Sequence, residues 1–158
     1  MATQFFIETD TDTYGDCYAQ SAGNMVLLLS TMREYGMLTD AEPLPPVCLS
    51  DFGLTVDDFD GPPSAGKVKP EKAEVFAAAQ KAAQDRLERD DPATTGIPRY
   101  KAAYHDGFLI TPVEIAAALH AYESRPADRR GQLERSLPEW GWWIAFLRKA
   151  ATAGIRVL

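Results

Sequence analysis

The stretch TQFFIETDTDTYGDCYAQSAGNMVLLLSTMREYG, residues 3–36, decides how the chain begins to fold. "QFFIET" is rich in β-formers, "DTDT" reads as a turn, and "YGDCYAQ" alternates large and small side chains, so residues 3–20 are expected to form a β-hairpin. Period-2 alternation puts Gly15, Cys17 and Ala19 on one face of the second strand and Tyr14, Asp16, Tyr18 and Gln20 on the other. Ser21 then offers its hydroxyl as a helix N-cap. Met25, Leu28, Leu29 and Met32 follow at helical spacing and Gly36 supplies a stop, which predicts a helix over 22–35.

Residues 39–70 hold six prolines and a run of acids, and read as an irregular Pro-rich acidic loop. "PEKAEVFAAAQKAAQDRLERDD" places Phe76, Ala79, Ala83 and Leu87 along one stripe of an amphipathic helix that opens near Pro70. "RYKAAYHDGFLIT", 99–111, has Asp106-Gly107 between two β-like runs and predicts a second hairpin. Thr111 and Glu114 form a T-x-x-E capping arrangement ahead of a helix. Ser136 and Glu139 repeat it before "WGWWIAFLRKAATAG", where Trp140, Trp143, Ile144, Leu147 and Ala151 share a face. "IRVL" closes the chain as a strand. The sum is a single-domain α+β fold over 1–158: a small mixed or antiparallel sheet packed with about four helices.

Composition bounds the class. The 158 residues, 46% hydrophobic and 25% charged, suit a globular domain rather than a disordered chain. "MVLLL" falls far short of the roughly 20 apolar residues of a membrane span, and the opening lacks the basic start of a signal peptide, so a cytoplasmic setting without membrane contact is expected. Cys17 and Cys48 form neither a CxxC pair nor a Cys/His cluster, which favours reduced thiols and no structural metal. The net charge of −7 is unevenly placed. Residues 1–66 hold eleven acids and one base, Arg33, for a net −10; residues 67–158 hold fifteen bases and twelve acids, for +3. That split disfavours nucleic acid and suits plain solubility or a basic protein partner.

Four short motifs carry candidate chemistry. "GDCYAQSA" resembles the nucleophile segment of papain-type cysteine proteases, in which a Cys, an aromatic and Ser-Ala begin a helix. The resemblance implies Cys17 as nucleophile with His105 or His120 as base; the family's oxyanion Gln would fall at Thr11. "GPPSAGKV", Gly61 to Val68, resembles the phosphate-binding loop G-x-x-x-x-G-K-[ST] of nucleotide hydrolases, with Val68 where the magnesium-binding hydroxyl stands. Asp10, Asp12 and Asp16 imitate the start of a calcium loop whose twelfth position, Ser21, lacks the bidentate Glu, so they read as a hairpin turn. The arginines of "RPADRRGQLER" can grip phosphate or carboxylate, and their interleaved acids favour a solvated helical face.

Taken together, the strand "FFIETD", the "SAGN" before a Leu-rich helix, the alanine-rich helix and the closing W-x-x-x-L-R-x-A helix with its following strand resemble short proteins of high-GC actinobacteria and their phages. That resemblance implies a setting and no reaction. The reading that emerges is a non-enzymatic acidic interaction module, a regulatory or inhibitory accessory protein without cofactor or metal. Asp57, Asp58, Asp60 and Trp142 are its candidate partner-binding residues. A small hydrolase built on Cys17, and nucleotide binding through Gly61 to Lys67, are the alternatives.

Overall fold

The computed structural model describes residues 2–9, 15–91 and 95–158; the "DTDT" turn lies outside them. The fold is α+β. Contacts divide the chain into two compact units, Met1–Pro43 with Glu88–Leu158, and Leu44–Leu87.

In the first unit, β1 (Ala2–Ile7) and β2 (Cys17–Ser21) form the expected antiparallel hairpin, with Phe5 opposite Tyr18 and Phe6 opposite Cys17. Ser21 caps α1 (Ala22–Glu34), its Oγ accepting from Asn24 N at 3.3 Å, and Gly36 leaves the helix with φ +73°. The closing strand β6 (Ile155–Val157) pairs antiparallel with β1 on one side and β5 (Leu109–Ile110) on the other, giving the order β2-β1-β6-β5. A second, two-stranded parallel sheet joins β3 (Leu38–Thr39) to β4 (Ile97–Pro98).

Helices cover this framework through periodic apolar faces. In α4 (Pro112–Glu123) the buried Ile115, Ala118, Leu119 and Tyr122 recur at helical spacing, and in α6 (Pro138–Ala150) Trp140, Trp143, Ile144 and Leu147 do so. Trp143 meets Phe5 edge-on with centroids 5.0 Å apart, and Trp140 meets Tyr122 likewise at 5.7 Å. Burial of these aromatics removes large apolar areas from water and joins α6 to both the sheet and α4. Burial and a hydrogen bond to Glu134 push the Tyr122 hydroxyl up to about 12.

Three expectations are corrected. Residues 99–103 are helical (α3, Arg99–Ala103), and β5 pairs with β6, so no hairpin forms over 99–111. The turn of helix carries Lys101 and Ala102 inward, and the Lys101 ammonium is held inside by Glu114, a contact no local β pattern encodes. Ser136 does not cap α6: it ends α5 (Ala127–Ser136), donates its hydroxyl to Leu133 O, and leaves the start of α6 to Pro138, whose fixed φ suits a first turn. Six α-helices rather than about four occur among the described residues, the additional ones being α3 and α5. The T-x-x-E box at the start of α4 forms as read, with Thr111 and Glu114 bonding reciprocally.

The second unit contains most of α2 (Ala73–Glu88) and much of the stretch read as a loop. Short 3₁₀ turns at Leu49–Phe52, Val56–Asp58, Pro63–Ala65 and Pro70–Lys72 fold it, while Phe59 bridges Val68 and packs edge-on against Phe76 at 5.5 Å. Leu54, Phe59 and Ala79 are its buried apolar residues.

Two glycines test this packing in opposite senses. A Cβ on Gly96 would lie 2.5 Å from Met37 O, so Gly96→Ala must force β3 and β4 apart and is expected to cost about 1–3 kcal/mol. Gly141, inside α6, has nothing within 4 Å of such a Cβ, and Gly141→Ala is expected to stabilise by about 0.5–1 kcal/mol. Urea denaturation of both variants checks the signs.

Candidate interaction face

Residues 17–32, which form β2 and nearly all of α1, contain no charged side chain. A 16-residue stretch with the chain's own 25% charge would carry about four. The absence is not explained by burial. Strand alternation turns Tyr18 and Gln20 inward and leaves Cys17, Ala19 and Ser21 outward, and the helix presents Gly23, Asn24, Val26, Leu27 and Ser30 to solvent. Val26 is 71% exposed and Leu27 48%. An ordinary surface helix puts charge there; an interface core is depleted of it.

Beside this surface lies a groove of about 180 Å³. Leu27, Leu28, Tyr18, Leu137 and Trp140 form its apolar walls, with Gln20, Asn24 and Glu139 among its polar lining. Gln20 Nε2 donates to Tyr18 OH at 2.7 Å, and that hydroxyl donates to Glu139 O at 3.3 Å. Those bonds hold the tyrosine ring in place, flanked by Trp143 at 5.2 Å and Phe146 at 5.5 Å. Burial pushes the Tyr18 hydroxyl up, partly opposed by its bond from Gln20. Trp142, 68% exposed, follows Glu139 at i+3, so the two are neighbours on the surface of α6.

The other candidate partner residues belong to the second unit. Asp58 is spent on local structure: its Oδ2 accepts from Thr55 N at 2.8 Å and from Thr55 Oγ1 at 3.1 Å, and Lys72 Nζ stands 3.6 Å from Oδ1. The Thr55 backbone hydrogen bond, aided by Lys72, holds this carboxyl below the usual range. Asp57 and Asp60 are exposed.

The residues of the papain-like reading are not assembled. Cys17 is exposed on the outward face of an edge strand, and desolvation pushes its thiol up rather than down. His105 Nδ1 lies 3.2 Å from Leu158 O and Nε2 3.4 Å from Thr3 Oγ1. In the ladder Thr3 stands opposite Gln20, three residues from Cys17, and strand rise puts that separation at about 10 Å. His120 is exposed near the end of α4. Neither imidazole hydrogen-bonds the thiol among the described residues.

Gly61 to Lys67 departs from a phosphate-binding loop as well. It is the tip of a reversal in which Asp60 N donates to Lys67 O at 2.8 Å, and a 3₁₀ turn precedes it instead of a strand. The long helix begins only at Ala73, so its N-terminus does not follow the lysine directly. Among the described residues no group of three or more His, Cys, Asp or Glu side chains could hold a metal ion, and no helix is long and apolar enough to cross a membrane. Searches of protein-family models, curated proteins and solved structures return no match to this chain.

The candidate face had a signal in the sequence. Val26 and Leu27 fall outside the Met25, Leu28, Met32 stripe, so two large apolar residues were left over once the buried face of α1 was filled.

A raised thiol predicts slow chemistry at Cys17. Labelling by iodoacetamide at mildly acidic pH should be no faster than for a free cysteine derivative, and should still be rising at the alkaline pH where that derivative has levelled off. Fast labelling that is already pH-independent in mild acid would instead reveal a stabilised thiolate.

Proposed function

We propose that the chain is a non-enzymatic protein-interaction module, a regulatory or inhibitory accessory protein, whose contact surface is the uncharged face of β2 and α1 with the adjoining groove. The observation that carries this reading is the exposure of Val26 and Leu27 on a helix that has no charged residue before Arg33. Two adjacent large apolar side chains in water on a surface without charge support a docking site there. The groove offers a pocket for one large side chain of the partner, and Trp142 offers an aromatic anchor beside it.

Electrostatics supports a partner with basic residues around that apolar anchor. Glu139 stands in the groove lining, and residues 1–43 of the same unit hold seven acids against Arg33, a net −6. Such a field steers encounter and aligns the partner, while the apolar contacts supply most of the affinity. Catalysis by Cys17 draws no support from a thiol that is pushed up and unpartnered by histidine among the described residues.

Selection of a random peptide library on the intact chain tests the proposal. Enriched peptides should combine one aromatic or aliphatic residue with flanking Lys or Arg, and should bind less tightly as salt rises. Leu27→Asp and Trp142→Ala, both at exposed positions, should each weaken binding by about tenfold or more, equivalent to about 1.4 kcal/mol. Peptides that bind both variants as well as the parent, or a selection that enriches nothing, would refute it.

A further inference from the structure

A second feature of the first unit is independent of that face. On α5, Arg129, Gln132 and Ser136 recur at i, i+3 and i+7, which aligns three hydrogen-bonding side chains on one side of the helix, with Leu133 beside them. They line a cleft of about 290 Å³ against Glu34 and Tyr35 at the C-terminal end of α1, and Arg125 closes the wall.

The cleft is fixed rather than improvised. Arg125 Nη2 donates to Glu34 O at 3.4 Å and Nε to Tyr35 O at 3.5 Å, placing a cation where the helix dipole is negative. A guanidinium has five N–H donors, so these two bonds leave three for a ligand. Tyr35 OH donates to Arg129 O at 3.3 Å and ties α5 to the end of α1. The Tyr35 ring is held in turn by Tyr122 and Trp140, at 5.7 and 6.1 Å.

What distinguishes these two arginines is that they line the same cleft. Neither Arg125 nor Arg129 has a carboxylate within ion-pair distance among the described residues, unlike Arg33, Arg148 and Arg156 and like several other arginines of the chain. Two free guanidinium groups facing one space in a protein of net charge −7 form a local positive site. Planar guanidinium forks match the paired oxygens of phosphate and carboxylate, and Gln132 adds a neutral amide donor. Glu34, the one acid in the lining, is suited to accept from a hydroxyl on the same ligand.

We propose that this cleft binds a small hydroxylated oxyanion, its phosphate or carboxylate held by Arg125 and Arg129 and its hydroxyl by Glu34. Titration of the full chain, followed by backbone amide NMR at constant ionic strength, tests this with glycerol 3-phosphate, glycerate and neutral glycerol as probes. At least one of the two anions should give saturable shifts centred on 34–36 and 125–136, glycerol should give none, and the tighter anion identifies the oxyanion. Arg129→Ala and Gln132→Ala should each weaken that binding, the former by about tenfold or more, and Arg129→Lys should fail to restore it because the fork is lost. Arg148→Ala, on α6, should leave it unchanged. Absence of saturation with both anions, shifts scattered over the surface, or equal weakening by Arg129→Ala and Arg148→Ala would overturn the proposal.

Discussion

The first unit is organised around an ion pair that has no contact with water. Lys101 and Glu114 are both 0% exposed, with Nζ 2.8 Å from Oε1 and 3.0 Å from Oε2. Removing two charges from water costs several kcal/mol per ion, and mutual attraction offsets that only if every remaining donor and acceptor is satisfied. Here that condition is met. The ammonium also donates to Arg89 O at 2.5 Å and Leu109 O at 2.9 Å, and the carboxylate accepts from Thr111 N at 2.9 Å and Asp91 N at 3.1 Å.

Those bonds reach four separate pieces of chain. They fix the segment after α2, the short helix α3, the strand β5 and the first turn of α4 relative to one another. Glu114 is at once the ion-pair partner and the third residue of the helix-capping box, so the direction of α4 and the position of Lys101 are set together. Tyr122, two turns further along α4, packs on Trp140, and α6 in turn seats Trp143 against Phe5 of the sheet. The groove wall of Trp140 and the solvent-facing Trp142 therefore inherit their placement from a cap and a buried lysine. A second polar tie is Arg156, 8% exposed in the sheet, which pairs with Glu8 at 2.6 Å and Glu88 at 3.1 Å.

Much of this was legible where the information is local. The hairpin, the Ser21 cap, the T-x-x-E box and the Trp stripe of α6 are each written within a few residues, and all occur. What was not legible is long-range. "RYKAAYH" carries enough β-formers to read as a strand, and only the distant Glu114 explains why a lysine is drawn inside and the segment coils. Ser136 and Glu139 had the letters of a cap, yet Pro138 already supplies the first turn of α6. For the proposed face, charge totals drew attention to the aspartates of 57–60 and passed over a second pattern, the missing charge between Cys17 and Met32. Counting charges finds acidic loops; asking which apolar residues remain after a helix has filled its core finds Val26 and Leu27.

The dependence of the fold on the buried pair is tested most directly by a double-mutant cycle. Stability by denaturant unfolding at neutral pH is measured for the parent, Lys101→Met, Glu114→Gln and the double variant. Each single change leaves a buried charge or its acceptors unpaired and should lose about 3–5 kcal/mol, while the double variant should lose clearly less than the sum. Losses below about 1 kcal/mol for each single change, adding without coupling as exposed pairs do, would contradict the account.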